Sequence, residues 1–200
     1  MEKSTDTEIR KAFHNQRLSL HHKCPDTLVI DELGLAHGKN RIDIAVVNGC
    51  IHGYEIKSSK DNLSRLAEQL GSYKQCLEKL TIIAAPNHIE AVSQMAPDWA
   101  GLILADKGIR GGFKFSSKRR PQKNPSIDLV ALSHLLWRKE VIETLRELGI
   151  PEREIKGSRI KLYEQLAKTI TTKELTAWIK KHFMYRKNWR AVQQPSQCGG

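Results

Sequence analysis

Hydrophobic positions change their period several times along the chain. From about Asp6 to Leu20 they recur at helical spacing, with Ile9, Ala12, Phe13, Leu18 and Leu20 forming a broken stripe behind the cap-type residues Thr5 and Asp6. The period then drops to two. TLVIDEL (Thr27 to Leu33), RIDIAVV (Arg41 to Val47) and IHGYEIK (Ile51 to Lys57) are rich in β-branched residues and predict three successive strands, the last two joined as a hairpin across Asn48-Gly49. Ser59 and Asp61 are cap-type residues, and Leu63, Leu66, Leu70, Tyr73, Leu77 and Leu80 then predict a long amphipathic helix. TIIAAP reads as a short strand, Ile89 to Met95 as a helix and GLILAD as another strand.

This succession predicts an α/β fold with partly parallel pairing and right-handed crossovers. The pattern changes after Asp106. From Lys107 to Lys123 there are seven basic residues and no acidic one, with glycines and prolines around them, which predicts an exposed loop or linker over 107–126. Leu129 to Leu148, Ile160 to Ile170 and Thr172 to Phe183 are helical in pattern, so 127–192 is expected to be a small basic helical module. Residues 193–200 read as a disordered tail.

Composition adds a charge argument. The 200 residues carry 33 Lys+Arg against 22 Asp+Glu, a formal charge of +11, which favours polyanions, nucleic acid ahead of an acidic membrane surface. There is no run of about 18 apolar residues and no signal-peptide pattern, so a cytoplasmic protein without a membrane span is expected. Cys24, Cys50, Cys76 and Cys198 are widely spaced and form no CxxC pair, which argues for reduced thiols and against a zinc ribbon. His21, His22 and Cys24 cluster in HHKC, but no downstream pair completes a zinc site.

The chemistry concentrates around YEIK. Strand alternation sets Glu55 and Lys57 on one face, with Tyr54 and Ile56 on the other. Asp43 lies on the preceding strand between Ile42 and Ile44, where an unpaired carboxylate is costly to bury and calls for a cation or water. A solvated cross-strand charge cluster is the competing reading. Geometry separates the two. A plain two-residue turn at Asn48-Gly49 would set Asp43 opposite Tyr54, so a composite site needs one extra residue in the turn or a β-bulge.

Asp43, Glu55 and Lys57 make the pattern D-x(11)-E-x-K, and QLGSY places Gln69 and Tyr73 one turn apart on the following helix. This array resembles the PD-(D/E)XK nuclease superfamily, including the QxxxY element of its RecB-like branch. The wider string from Glu32 to Gln69 resembles a small bacterial family assigned to that superfamily. The resemblance covers roughly Glu8 to Asp106 and implies a restriction-endonuclease-like three-layer sandwich: a central mixed sheet in an α-β-β-β-α-β core, followed by the C-terminal helical extension. It further implies a Mg²⁺- or Mn²⁺-dependent deoxyribonuclease of bacterial or phage origin. Asp43 and Glu55 would hold the metal with the Ile56 carbonyl, and Lys57 would assist the attacking water. Glu32 is favoured over Glu8 as a further ligand. Gln69 and Tyr73 would support the site, or else belong to the apolar stripe of their helix.

Around this centre His37, Lys39 and Arg41 precede the strand pair and Lys60 and Arg65 follow it, a basic rim suited to phosphates. Lys114, Lys118, Arg119 and Arg120 add charge from the linker. Leu145 to Leu166 resembles the SAP helix-turn-helix DNA-binding motif. Trp178, Phe183, Tyr185 and Trp189 either stack on bases or anchor the last helix. DNA is the expected partner, with RNA and a homodimer left open. The competing function is a noncatalytic nucleic-acid-binding module of a larger assembly.

Overall fold

A capping box opens the first helix of the computed structural model, which describes residues 3–186. The Thr5 hydroxyl accepts from the Glu8 amide and the Glu8 carboxylate accepts from the Thr5 amide at 2.9 Å, starting α1 (Asp6–Arg17). The helix stops short of Leu20. Leu18 is buried and leaves helical geometry, its amide bonding to the Phe13 carbonyl, and α2 (Ser19–Lys23) restarts beyond it.

The next three strands are β1 (Leu28–Leu35), β2 (Asn40–Val47) and β3 (Ile51–Lys57), paired antiparallel in that order. Helix α3 (Leu66–Cys76) is shorter than its apolar pattern suggests. Residues 58–65 are held out of the helix instead, because the Ser58 amide and hydroxyl both donate to Asp61 and Ser59 bonds to Ser4. Leu80 belongs to β4 (Lys79–Ala84), which runs parallel to β3. After α4 (Ile89–Met95), β5 (Gly101–Lys107) lies parallel to β4. All but the first residue of β4 is buried, as a central parallel strand covered on both faces requires.

The predicted linker is the first correction. Residues 113–119 form β6 (Phe113–Arg119), antiparallel to β5, at one edge of a six-stranded sheet ordered β1-β2-β3-β4-β5-β6. The run of charge hides a period of two. Phe115 is buried and Phe113 half-buried against the sheet, while Lys114 and Lys118 point outward.

Two cores flank the sheet. On one face Ile9 and Phe13 of α1 pack with Val29, Ile44, Val46, Tyr54, Ile56 and Phe115. On the other, α3 joins the helices of the last third: α5 (Leu129–Ser133), α6 (Arg138–Glu147), α7 (Arg159–Thr169) and α8 (Thr172–Tyr185). Leu132, Leu145, Leu162, Leu166, Leu175 and Phe183 share one apolar cluster with Ile42, Val47 and Ile51, each such burial contributing about 1.5–3 kcal/mol. The expected separate module is therefore a layer of the sandwich. Glu78 pins it, accepting from the Ile51 amide and from the Thr176 hydroxyl, each at 2.8 Å.

The stretch likened to a SAP motif spans α6 and α7, whose apolar faces are in this core. Phe183 is buried in this core and Trp178 packs against the same core, so these two anchor α8, whereas Tyr185 is exposed. Trp189 and the 193–200 tail lie outside the described residues. No helix among the described residues is long and apolar enough to cross a membrane.

Candidate functional site

The hairpin adopts the odd offset that a composite site requires. Val47 pairs with Ile51 and Ile44 with Tyr54, leaving Asn48, Gly49 and Cys50 as a three-residue turn with Gly49 at φ 107°. One step past the last pair, this register sets Asp43 opposite Glu55. Across the other edge of β2, Asp31 pairs with Ile44 and Leu33 with Ile42, which leaves Glu32 opposite Asp43. Glu32 adopts φ 55°, uncommon for a residue with a side chain. Facing reverses here: Ile42 packs on the α3 side and Ile44 on the α1 side, so Asp43 sits where β2 changes face.

The α3 side holds Glu55, Lys57, Gln69 and Tyr73 as one buried group. The Lys57 ammonium donates to Glu55 at 2.7 Å and to Gln69 at 3.0 Å, and the Tyr73 hydroxyl lies 2.6 Å from the other Glu55 oxygen. Helical spacing brings Gln69 and Tyr73 to the same face of α3, above β3.

The α1 side is organised by Arg10. Its guanidinium meets Asp6 at 3.0 Å, Glu32 at 2.6 Å and Asp43 at 3.0 Å, and donates to the Asp43 main-chain carbonyl at 3.0 Å. The second Asp43 oxygen accepts from the Ile56 amide at 2.6 Å. Arg10 and Asp6 were missed in the sequence, although an acid and a base four residues apart beside the buried Ile9 are a legible helix pair. Glu8 stays outside. It is tied to Thr5 and Lys107, contacts that hold its carboxyl down at about 2.

Four carboxylates thus surround Arg10 and Lys57. Burial pushes the Asp43 carboxyl up to about 8, with the Glu55 charge adding to the rise against the pull of the Ile56 amide and Arg10. Glu55 is raised too, by burial working against Lys57, and Tyr73 is raised by burial and by Glu55. The pair holds a proton close to neutrality.

In donor chemistry the site fits a hard divalent cation, since Asp43 and Glu55 are oxygen ligands in adjacent register. The number of donors falls short. All four of their oxygens accept from protein groups, Ile56 meets the cluster through its amide, and no group of three His, Cys, Asp or Glu converges to hold a metal among the described residues.

Lys39, Arg41, Lys60 and Arg65 are exposed on the segments that flank the cluster. Lys114, Lys118 and Arg120 are exposed on or beside β6, three strands from β3, or about 14 Å at the usual spacing. Arg119 is turned inward and donates to the carbonyls of Ala100 and Pro97 at 2.6 and 3.1 Å. It caps the entry to β5, which corrects its place among the nucleic-acid contacts. His22 lies in α2 with its ring 2.9 Å from His14, which in turn contacts Asp31 at 2.9 Å.

The family model described as bacteriophage P4 protein cII matches residues 1–194. Protein cII of Enterobacteria phage P4 is 37% identical over 78 residues, which cover 39% of this chain and 30% of that relative. The chain thus spans under a third of the length of the curated relative it matches. No solved structure matches. The chain belongs to the bacteriophage P4 protein cII family.

No nuclease family is indicated, and this family membership overturns the assignment to the PD-(D/E)XK superfamily together with the expected deoxyribonuclease and hydrolase activity. The physical reason is general. Carboxylates and a lysine buried at a sheet end must converge to neutralise one another, so convergence alone does not specify hydrolysis.

Proposed function

We propose that this chain, proceeding from its membership of the bacteriophage P4 protein cII family, is a nucleic-acid-binding protein that grips the phosphate backbone of DNA. The observation that carries the reading is the rim of Lys39, Arg41, Lys60 and Arg65, exposed on both sides of the cluster in a chain of charge +11. Such residues bind phosphates without reading bases, and each phosphate neutralised steepens the dependence on salt. The α-β-β-β-α-β order with helices on both faces supports a restriction-endonuclease-like sandwich as the scaffold.

Fluorescence anisotropy of the full chain with labelled duplex DNA, single-stranded DNA and RNA, across a salt series, tests the reading. Affinity is expected to fall linearly on logarithmic axes as salt rises. The quadruple variant with Lys39, Arg41, Lys60 and Arg65 changed to Gln should lower both affinity and slope. No binding to any of the three at low salt would sink the proposal.

A divalent cation at the cluster is a second reading, favoured by the register that brings Asp43 and Glu55, two hard-oxygen donors, side by side. Asp43 and Glu55 would hold Mg²⁺ or Mn²⁺, with Glu32 and the Ile56 carbonyl as further oxygen donors. The ion would supply neutralising charge there. Arg10 would have to release Asp43 first. Calorimetric titration with Mn²⁺ should then give a binding isotherm that Asp43→Asn abolishes, and a flat isotherm for the unaltered chain would reject the reading.

A further inference from the structure

A cleft of about 410 Å³ opens between the β1–β2 turn and helices α5 to α7, on the flank of the basic rim. Gly34, in its wall, pairs with Arg41 of the rim. The volume suits one nucleotide. Its lining includes Arg138, Arg159 and Arg186 and no carboxylate, although Arg186 is already paired with Glu140 at 2.5 Å. Arg138 and Arg159 are both exposed at the mouth.

Leu33, Leu135 and Leu136 line it too, and four of its wall residues are flat rings. His37 lies over His134 with ring centroids 4.0 Å apart and 30° between the planes, and Tyr163 meets His134 edge-on at 4.8 Å. Burial holds both imidazoles below their ordinary value, with Arg159 adding at His37 and His37 itself adding at His134. Trp137 is 52% exposed, and the Arg186 guanidinium lies 4.3 Å from its ring centre. An exposed indole among cations is a stacking platform for a base.

The turn that carries His37 is strained. Ala36 and His37 both take left-handed φ, 48° and 59°, a region that residues with side chains rarely adopt. That conformation presents the His37 ring to His134 inside the cleft.

We propose that this cleft binds a nucleoside phosphate, with the phosphate between Arg138 and Arg159 and the base against the Trp137 and His37–His134 rings. The proposal deepens the nucleic-acid reading and rests on it for the strand as ligand: the cleft would take an unstacked nucleotide beside the rim. A free nucleotide is the other source of the same chemistry.

The test uses the full chain with dAMP, adenosine, inorganic phosphate, a single-stranded pentathymidylate and duplex DNA, followed by calorimetry or by chemical-shift changes. dAMP and the pentathymidylate are expected to bind, with adenosine and phosphate each at least about tenfold weaker than dAMP, because each lacks one half of the recognised group. The double variant Arg138→Ala/Arg159→Ala should lose at least about tenfold for dAMP, and Trp137→Leu should lose affinity for dAMP while leaving phosphate unchanged. Unaltered melting and circular dichroism would exclude misfolding. Lys at both positions should restore part of the affinity.

Absence of dAMP binding at millimolar concentration, or equal binding by the double variant, overturns the proposal. So does phosphate binding as tightly as dAMP. Duplex binding with no effect of the cleft variants on dAMP or pentathymidylate overturns the cleft alone. dAMP binding with no affinity for any strand supports the cleft as a free-nucleotide site and removes the backbone reading.

Discussion

The Tyr73 hydroxyl stands 2.6 Å from a Glu55 carboxylate oxygen and 2.7 Å from the Arg41 main-chain carbonyl, one proton between two acceptors. The contact ties α3 to β2 and β3 at the centre of the cluster.

Replacing Tyr73 by Phe removes this bridge while keeping the ring in the core. Glu55 then keeps a buried oxygen with no donor, at a cost of about 1–3 kcal/mol. Urea denaturation should register that loss, and an unchanged midpoint would mean that the hydroxyl is dispensable.

Asp43→Asn should stabilise the protein increasingly as pH rises. The folded state keeps the Asp43 proton up to about 8, whereas the unfolded chain releases it above the ordinary value of 3.8. The stability contributed by this proton is fully present below about 4 and is lost progressively as pH rises to 8. Asn can still accept from the Ile56 amide. The gain over the unaltered protein should reach about 1–2 kcal/mol at pH 8, allowing for the lost attraction to Arg10. Denaturation curves at pH 6.5, 7.2 and 8 would test it, and a gain that shrinks with pH would contradict the assignment.

His52 has the opposite dependence. Burial, with Lys79 adding, pushes its imidazole down to about 3, and its ring contacts the Thr81 hydroxyl at 2.8 Å. The unfolded chain takes up this proton below about 6.5 and the folded chain does not, so stability present above pH 6.5 is lost as pH falls towards 3. His52→Gln should reduce the acid-side slope by up to about 1.4 kcal/mol per pH unit. An unaltered slope between pH 4 and 6 would exclude His52 as its source.

Gly53→Ala should destabilise the hairpin. An added Cβ would lie 2.5 Å from a Leu77 methyl and 3.0 Å from Ile42, both fully buried. Overpacking of this kind costs about 1–3 kcal/mol. Because Gly53 pairs with Ala45 two residues from Asp43, the Asp43–Ile56 bond should weaken as well. Thermal unfolding and amide exchange at Ile56 would report both effects, and full protection at Ile56 would refute the second.

Much of the sheet was legible because its determinants are local. β-Branched runs and the NGC turn mark β2 and β3, and alternation alone sets Glu55 and Lys57 on one face. β6 was masked, because its alternation of Phe113 and Phe115 with Lys114 lies inside a run of basic residues flanked by glycines and prolines. Composition reports exposure of a segment, not its hydrogen bonding. The short start of α3 was not legible, since Ser58–Asp61 and Ser59–Ser4 contacts override a valid apolar stripe.

The sequence by itself determined the strand periods, the shared face of Glu55 and Lys57, and the helical spacing of Gln69 and Tyr73. These follow from backbone geometry acting over a few residues. Only the tertiary structure decided that Arg10 would face Glu32 and Asp43, that Arg119 would turn to the carbonyls of Pro97 and Ala100, and that α5 to α7 would close a cleft over His37. Those contacts join residues far apart in the chain. Charge pairing and side-chain packing at that range depend on which surfaces the folded layers bring together, and they leave no periodic trace in the order of residues.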